Sequence, residues 1–359
     1  MNIIFRVDSS DIIGTGHVYR CLNLAYQYKE HNISFICKNH NYNLISKIEE
    51  KYRVYPLSLN DNINLDINLD INTWLGESQI DDLNKTIDTI KDNNLVIDWL
   101  IIDHYAIDKI WEEGIKKYVK NICVIDDFTN REHNCNILLN QQISYEEGII
   151  KYKNIINNDC ILYCGNDYLL LHPKYFNYID FEKKIENNIK RINIFMGGSD
   201  IYNITDKIIN ICNKYNMLIQ NKIIFDVIIG KSNKNYEIIL NKVKKLNNFN
   251  IYYDLEFIGE LMEKVDLCIG APGSTSYERC LMKTPSLCIC IAENQKTVVN
   301  KLIESNIIKY LGTIEDNYEK KILEYLDYFN KNINELKKMS INCETFINLK
   351  NNRIKYIFN

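Results

Sequence analysis

Short apolar runs alternate along the chain with longer amphipathic stretches. This alternation predicts buried parallel strands that are joined by crossover helices. The first run and the fifth run each lead into a glycine-containing turn, so a second doubly wound unit is expected to begin near Ile192. The eight runs span residues 3–7, 33–37, 99–103, 122–125, 192–196, 225–229, 267–269 and 286–291.

A polar, charged stretch between residues 178 and 190 separates the two sets of runs. The sequence therefore predicts an α/β protein of two Rossmann-like, doubly wound domains that face each other across a cleft, at residues 1–180 and 190–330. Residues 331–359 follow as a tail whose apolar positions have helical spacing. We expect this helix either to pack back on the first domain or to form the last surface helix of the second.

Length and charge agree with this organisation and exclude several kinds of partner. A chain of 359 residues with 46% apolar residues is long enough for two ordinary cores. The formal net charge is −4 and both signs are mixed along the chain, which argues against a nucleic acid or an anionic membrane as partner. No apolar segment approaches the roughly 20 residues that cross a bilayer, and the N-terminus lacks the features of a signal peptide. We expect a cytoplasmic protein.

The twelve cysteines are dispersed, and many lie in apolar runs such as residues 287–291. Buried reduced thiols are therefore expected rather than a disulfide framework. No pair of cysteines has the spacing of a zinc site, so the sequence predicts neither a metal nor another cofactor.

The segment Gly14-Thr15-Gly16-His17 stands between the first predicted strand and an amphipathic stretch at residues 18–28. Glycines in this position allow backbone amides to approach a diphosphate, and the start of a helix adds partial positive charge. The third glycine of the dinucleotide fingerprint is missing, which disfavours nicotinamide chemistry. His17 would face the same site, where a neutral imidazole can take a proton from water, although a histidine there is often a capping or packing residue.

Polar side chains also end the third predicted strand, at Asp103-His104-Tyr105. The carboxyl ends of strands are where open α/β sheets place groups that contact ligands. The alternative is that Asp103 caps the following turn and His104 is solvated. Asp126 and Asp127 repeat the arrangement after the next strand, either as a turn or as one wall of the acceptor side.

The second half of the chain contains three comparable segments. Gly197-Gly198-Ser199-Asp200 leaves a strand and enters a helix-like stretch, as a candidate phosphate turn. Gly273-Ser274-Thr275 precedes another helix, with Glu278 one turn later able to accept hydrogen bonds from ribose hydroxyls; a capped helix after a tight turn is the alternative. Glu293-Asn294-Gln295 follows the eighth run and points polar side chains toward the same site.

Six phrases of the sequence, taken in order, resemble the UDP-2,4-diacetamido-2,4,6-trideoxy-β-L-altropyranose hydrolases of pseudaminic acid biosynthesis. Their order and spacing match that family over residues 3 to about 310. The family is related to the glycosyltransferase of peptidoglycan lipid II synthesis, so the resemblance implies the GT-B architecture of two Rossmann-like domains. The phrases are Ile13-Gly14-Thr15-Gly16-His17-Val18-x-Arg20-Cys21-Leu22, Trp74-Leu75-Gly76, Ile102-Asp103-His104-Tyr105, Gly197-Gly198-Ser199-Asp200, Gly273-Ser274-Thr275-Ser276-x-Glu278-Arg279-Cys280 and Ala292-Glu293-Asn294-Gln295.

The resemblance implies a metal-independent hydrolase in which water displaces UDP at the anomeric carbon with inversion and releases 2,4-diacetamido-2,4,6-trideoxy-L-altrose. His17 matches the catalytic histidine of the family, and Tyr105 and Asn294 match polar residues on the sugar or water side. A UDP-activated diacetamido sugar is thus the expected partner, and the enzyme is expected to be a monomer. The positions implied to bind the substrate or its UDP are Gly14, Gly16, Arg20, Asp103, Gly198, Ser199, Gly273, Ser274, Thr275, Glu278, Glu293 and Gln295.

Two other functions stay open on the sequence alone. A GT-B glycosyltransferase would use the same donor but pass the sugar to an acceptor, and fold does not separate the two. A UDP-sugar-binding protein without turnover would not need His17, Tyr105 and Asn294 together. The Asn-rich stretch at residues 59–73 departs from the pattern of the family, and no chemistry is assigned to it.

Overall fold

The computed structural model describes residues 1–59, 70–220, 222–292 and 295–358. The chain forms two compact units. Unit 1 comprises Met1–Pro173 together with Asn352–Asn359, and unit 2 comprises Lys174–Asn351.

Unit 1 is built on a parallel sheet of seven strands in the described part of the chain. Its strands are β1 (Asn2–Val7), β2 (Asn32–Lys38), β3 (Arg53–Leu57), β4 (Trp99–Asp103), β5 (Asn121–Ile125), β6 (Ile137–Asn140) and β7 (Ile161–Cys164). They are ordered β3-β2-β1-β4-β5-β6-β7. The helices around them are α1 (Gly16–Gln27), α2 (Ile45–Ile48), α3 (Gln79–Asp92), α4 (Lys109–Ile115) and α5 (Tyr145–Tyr152).

Both faces of this sheet are buried, as expected for parallel strands covered by helices. Alternate residues of β1 belong to different apolar clusters: Phe5 packs with Phe35 and residues of α1, whereas Ile4 packs with Trp111 of α4. The two layers of helices therefore rest on opposite faces of one sheet, which explains why the strands appear in the sequence as continuous apolar runs rather than as alternating ones.

Unit 2 repeats the same plan with six parallel strands in its described residues. The strands are β8 (Arg191–Phe195), β9 (Ile224–Ile229), β10 (Phe249–Tyr253), β11 (Leu267–Gly270), β12 (Ser286–Cys290) and β13 (Ile308–Thr313), in the order β10-β9-β8-β11-β12-β13. The helices are α6 (Ile204–Leu218), α7 (Tyr236–Val243), α8 (Gly259–Met262), α9 (Thr275–Leu281), α10 (Lys296–Glu304), α11 (Tyr318–Lys331) and α12 (Ile333–Phe346).

The two sheets confirm the prediction of two Rossmann-like, doubly wound units. Each of the eight predicted runs coincides with a strand, namely β1, β2, β4, β5, β8, β9, β11 and β12. The strand order reverses between β1 and β4 in unit 1 and between β8 and β11 in unit 2. Ligands of open α/β sheets bind outside the carboxyl ends of the strands at such a reversal.

The change from unit 1 to unit 2 lies at Pro173, several residues before the polar stretch that marks the boundary in the sequence. The segment after it packs on unit 2 because Ile185 and Ile189 join the apolar core of that unit. In addition, the Nζ of Lys183 donates a hydrogen bond of 2.8 Å to the carbonyl oxygen of Val265. Although this stretch is charged, it therefore packs against the rest of unit 2.

The tail divides between the two units. Helix α12 contributes Leu336 and Met339 to the core of unit 2, as in the surface-helix alternative. Residues 352–358 belong instead to unit 1, where the hydroxyl of Tyr28 donates to the carbonyl oxygen of Ile354 at 3.0 Å and the ring of Phe358 lies 4.9 Å from that of Tyr28. The two expectations for the tail thus apply to different parts of it.

The cysteines are free thiols, and each is buried except Cys160, which is partly exposed. Among the described helices, none combines the length and the apolar character that a membrane crossing requires.

Candidate active site

His17 lies in the first turn of α1, directly after the turn that follows β1. Gly14 has a φ of +80°, a conformation that favours glycine, and its amide donates to the carbonyl oxygen of Ser10 at 3.0 Å. The hydroxyl of Ser10 accepts from the amide of Ile13 at 3.0 Å and closes the same turn. The imidazole of His17 is 6% exposed and faces the carboxyl end of β4, which is the neighbour of β1.

The imidazole is held by Asp103, the last residue of β4. The Nδ1 atom of His17 lies 2.7 Å from Oδ1 of Asp103. Burial alone would raise the pKa of Asp103, but the charge of Arg20 and the hydrogen bonds from Arg20 and His17 hold it well below its ordinary value. An ionised carboxylate only accepts hydrogen bonds, so we assign the imidazole proton to Nδ1, which leaves Nε2 as the basic position of the ring.

Arg20 occupies the next turn of α1 and pairs with the same carboxylate. Its Nε and Nη2 atoms donate to the two oxygens of Asp103, each at 2.6 Å, and its Nη1 atom lies 2.5 Å from Asp127. This two-pronged geometry is typical of strong arginine–carboxylate pairs. Both side chains were expected among the residues that bind substrate. In the structure they bind each other and orient His17.

Tyr105 completes this group of residues, which we call the histidine network: His17, Arg20, Asp103, Tyr105 and Asp127. The hydroxyl of Tyr105 donates to Oδ2 of Asp127. Burial and the charge of Asp127 raise the pKa of Tyr105 well above its ordinary value, so the phenol stays neutral. Its ring stands edge-on to His17, with ring centroids 4.5 Å apart. Tyr105 therefore offers the site a ring face, while its hydroxyl supports Asp127.

A second set of buried charges lies on the α3 and α4 side of the sheet. Arg6 of β1 is fully buried and pairs with Asp8 and with Asp82 of α3, each at 2.6 Å. Lys38 lies 2.8 Å from Asp82, and the indole nitrogen of Trp111 donates to the same carboxylate at 3.0 Å. The sequence analysis missed this set, although a charged residue inside the apolar run 3–7 is a signal that could have indicated it.

His104 belongs to this second set rather than to solvent. It is 4% exposed, its Nδ1 accepts from the amide of Ala106 at 3.2 Å, and its Nε2 lies 3.3 Å from Asp8. Burial lowers the pKa of His104, against the opposing effect of Asp8, so a neutral ring is favoured. The alternative that His104 is solvated is therefore wrong, because the residue is buried and its ring nitrogens face Ala106 and Asp8.

The turn after β8 in unit 2 brings two backbones together. Gly197 has a φ of +93°, and a Cβ atom on Gly230 would lie only 2.4 Å from the Cα of Gly198. Asp200 caps α6, because its two carboxylate oxygens accept from the amides of Ile204 and Thr205 at 2.9 Å each. Ser199 is partly exposed between these elements. The close approach of Gly198 and Gly230 thus determines the shape of the turn, and the carboxylate of Asp200 caps α6.

The turn after β11 precedes α9 and lies beside the turn after β8. The guanidinium of Arg279 joins the two, since its Nη2 atom donates to the carbonyl oxygens of Ala271 at 3.1 Å and Phe195 at 3.4 Å. The same atom lies 3.3 Å from the hydroxyl of Thr275. Ser274, at the start of α9, is exposed and its side chain does not cap the helix, and Gly273 has open space where a side chain would stand. Ser274 is therefore the accessible hydroxyl of this turn.

Glu278 lies in the first turn of α9 and is partly exposed. Burial raises its pKa to about 7, although the charge of Arg279 acts in the opposite direction. Near neutral pH this carboxyl group therefore exists in both protonation states, and it can either accept from or donate to a hydroxyl group.

The raised pKa leads to a prediction about stability. Because the folded state holds the proton of Glu278 more tightly than the unfolded chain, the wild-type protein loses stability as the pH rises from about 4.5 to about 7. We expect Glu278→Gln to raise the free energy of unfolding of unit 2 by about 1–3 kcal/mol at pH 8 and to have little effect at pH 4.5. Urea denaturation at both pH values measures the difference. Glu319→Gln, at an exposed position in the first turn of α11, is the control, and an equal response of the two variants would refute the prediction.

The last predicted segment is only partly described. Glu293 and Asn294 lie outside the described residues. Gln295 stands at the start of α10, and its side-chain oxygen accepts from the amide of Ile291 at 3.0 Å. The structure therefore assigns Gln295 a role in closing the turn after β12.

The predicted residues thus fall into two groups, one in each unit. In unit 1, His17, Arg20, Asp103 and Tyr105 belong to the connected histidine network at the reversal of strand order between β1 and β4, and Gly14 and Gly16 precede His17 in the same turn and helix start. In unit 2, the other predicted residues of the described chain lie on the adjacent turns after β8 and β11 and in the first turn of α9, at the corresponding reversal, except Gln295, which follows β12. Among the described residues, no cluster of three or more His, Cys, Asp or Glu side chains is arranged to hold a metal ion.

The two Rossmann-like units indicate the fold class of the protein, and known structures agree with it. The chain has a GT-B fold, like the MurG protein of Acinetobacter baumannii, with a TM-score of 0.56 and 10% identity over 96% of this chain and 95% of that one. The spinosyn rhamnosyltransferase SpnG, solved with spinosyn aglycone, gives a TM-score of 0.62 with 10% identity over 96% and 97% of the two chains. At these identities the likeness concerns the fold alone.

Relatives by sequence are more specific. The UDP-2,4-diacetamido-2,4,6-trideoxy-β-L-altropyranose hydrolase of Campylobacter jejuni is 29% identical over 309 residues, which cover 84% of this chain and 96% of that protein. An uncharacterised protein of Methanocaldococcus jannaschii is 25% identical over 330 residues, or 89% of this chain and 61% of that protein. No family model matches the chain. The resemblance to the hydrolase family is confirmed by the similarity to the Campylobacter jejuni protein.

Proposed function

We propose that this protein hydrolyses a UDP-activated sugar, with His17 as the general base. The proposed substrate is UDP-2,4-diacetamido-2,4,6-trideoxy-β-L-altropyranose, and the products are UDP and 2,4-diacetamido-2,4,6-trideoxy-L-altrose, a step in pseudaminic acid biosynthesis. The similarity in sequence to the Campylobacter jejuni hydrolase, over most of both chains, supports this choice of substrate.

The observation that carries the proposal is the contact of 2.7 Å between Nδ1 of His17 and Oδ1 of Asp103. With the proton assigned to Nδ1, Nε2 is the basic nitrogen. In the proposed reaction Nε2 accepts a proton from water, the water oxygen forms a bond to the anomeric carbon, and the bond from that carbon to the UDP oxygen breaks. Asp103 stabilises the imidazolium that results, and its pairing with Arg20 keeps it ionised throughout.

Attack by water on the face opposite to UDP inverts the anomeric configuration. A diphosphate is already a good leaving group, so the protein has to stabilise the charge that develops on it rather than protonate the sugar oxygen strongly. We assign that role to unit 2, where the turn at residues 197–199 and the exposed Ser274 offer amide and hydroxyl donors. Glu278 is assigned to the ribose hydroxyls, and Glu293 and Asn294 to the sugar.

The test is UDP release from the proposed substrate by the purified protein in the absence of any acceptor. We expect stoichiometric release of UDP, and NMR spectra recorded before mutarotation should show a product with the opposite anomeric configuration. A glycosyltransferase would release UDP only after an acceptor is added, and a non-catalytic binding protein would bind the nucleotide sugar without releasing UDP. Either result would overturn the proposal.

A further inference from the structure

Trp74 begins the segment Trp74-Leu75-Gly76, one of the six that resemble the hydrolase family. A short turn at Ile71–Thr73 precedes it, and Gly76, with a φ of +68°, follows it. The turn is anchored to the sheet because the Nζ of Lys38 donates to the carbonyl oxygen of Leu75 at 2.8 Å. The buried contact of Lys38 with Leu75 therefore fixes the backbone next to the indole.

The indole lies against the histidine network. Its ring centroid is 5.7 Å from that of Tyr105 and 6.0 Å from that of His17, and it stands edge-on to His17. It also lies 6.5 Å from the ring of His104. Trp74 thus lies beside the rings of both His17 and Tyr105.

The indole nitrogen of Trp74 is buried and has no hydrogen-bond partner among the residues that the structure describes. An indole N–H can only donate, and buried donors of folded proteins are normally satisfied. The same unit satisfies the indole of Trp111, which donates to Asp82 at 3.0 Å. The unpartnered donor beside His17 therefore requires an acceptor from outside the described chain.

An unpartnered acceptor occurs in the same network. Both Arg20 and Tyr105 donate to Oδ2 of Asp127, whereas Oδ1 is buried and has no partner within the described residues. Tyr105 thus contacts both the side chain with the free donor, Trp74, and the side chain with the free acceptor, Asp127. An acetamido group presents the complementary pair, a carbonyl oxygen and an N–H.

We propose that Trp74 determines specificity by donating its indole N–H to the carbonyl oxygen of an acetamido group on the bound sugar, while Oδ1 of Asp127 accepts from an amide N–H of the sugar. This inference rests on the proposed function, since it concerns the same substrate. It goes beyond that function because it identifies which part of the sugar is recognised and which side chains recognise it.

The test compares Trp74→Phe with the wild type on UDP-2,4-diacetamido-2,4,6-trideoxy-β-L-altropyranose and on two analogues, each with hydrogen in place of one acetamido group. Phenylalanine keeps an aromatic ring at this position and removes the N–H donor together with part of the indole ring, so the comparison across the three substrates separates the lost donor from the lost packing. We expect kcat/KM for the full substrate to fall about 3- to 10-fold in the variant, the usual effect of one lost neutral hydrogen bond. On one of the two analogues the wild type and the variant should be equal, because the partner of the donor is then absent.

Trp99→Phe is the matched control, since Trp99 is partly buried at the start of β4, packs against Phe358, and lies outside the network. It should leave all three rates unchanged. Equal activity of Trp74→Phe and the wild type on the full substrate would overturn the inference, as would an equal loss on all three substrates, which would indicate a structural role.

Failure of the proposed function is distinguished by binding. If the wild type releases no UDP, calorimetry with the free 2,4-diacetamido-2,4,6-trideoxy-L-altrose decides the inference separately. Weaker binding of this sugar by Trp74→Phe than by the wild type would support the role of Trp74 in a protein that is not a hydrolase. Equal binding, or no binding by either protein, would refute it.

Discussion

Replacing His17 by alanine is expected to lower kcat for UDP release by about 10²- to 10⁴-fold and to leave KM nearly unchanged. The reason is that the imidazole takes a proton only as water attacks, so its contribution arises in the transition state and not in the binding of substrate. Asp103 and Arg20 pair with each other at 2.6 Å and do not depend on His17 for their mutual neutralisation, so the variant should fold. Steady-state kinetics of UDP release measure both constants.

His17→Asn sharpens this prediction. An asparagine can still donate an N–H to Asp103, but it has no basic nitrogen. A loss of kcat as large as that of His17→Ala would assign the effect to proton transfer, whereas substantial recovery would assign it to the orientation of Asp103. His31→Ala, outside the network, is the control for removing an imidazole. If His17→Ala kept a tenth or more of the wild-type kcat, the role of general base would be refuted.

The strands that the sequence predicts and those that it misses differ in their position in the sheets. Four of the missed strands, β3, β7, β10 and β13, are the edge strands of the two sheets. An edge strand is partly open to solvent, so its apolar run is interrupted; β3 contains Pro56 and exposes Arg53, for example. The fifth, β6, is buried but only four residues long. Apolar runs therefore indicate the centre of such a sheet better than its borders.

The candidate site shows a similar division. The sequence could predict that Asp103, Tyr105 and His17 lie close together. Each stands at or after the carboxyl end of a strand at the reversal of the strand order. That Arg20 pairs with Asp103 could not be predicted, since this pairing depends on the direction of the two side chains. The sequence indicates which residues lie at the carboxyl ends of the strands, whereas their hydrogen-bond partners depend on how the side chains pack.

The same limit applies to Asp200 and Arg6. Asp200 was expected in a phosphate turn, but both its oxygens cap α6, and a helix cap and an anion site share the same sequence signals. Arg6 was counted within an apolar run because its neighbours are apolar. One of its partners, Asp8, is close in the sequence, but the other, Asp82, lies 76 positions away.

The largest effect on the free energy of unfolding is expected when Arg6 is replaced. Arg6→Met should lower the free energy of unfolding of unit 1 by about 3–5 kcal/mol at pH 7, because Asp8 and Asp82 would then be buried with less compensation. Arg6, Asp8 and Asp82 have fully buried side chains, so water cannot replace the lost partner. Lys38 still neutralises part of the charge on Asp82, which keeps the effect from being larger. Urea denaturation of both proteins measures it.

The pH dependence of this effect separates charge from packing. Burial would raise the pKa values of Asp8 and Asp82, but Arg6 holds both below the ordinary 3.8, so the wild type gains stability from them above about pH 4 and loses it as the pH falls further. The deficit of Arg6→Met should therefore be largest above pH 5 and shrink below pH 4.

Lys320→Met removes a cation from an exposed pair with Glu324 and should change stability by less than about 1 kcal/mol. A deficit for Arg6→Met that stayed constant across this pH range would mean that its side chain contributes by packing, because the loss of an ion pair has to follow the ionisation of its carboxylates.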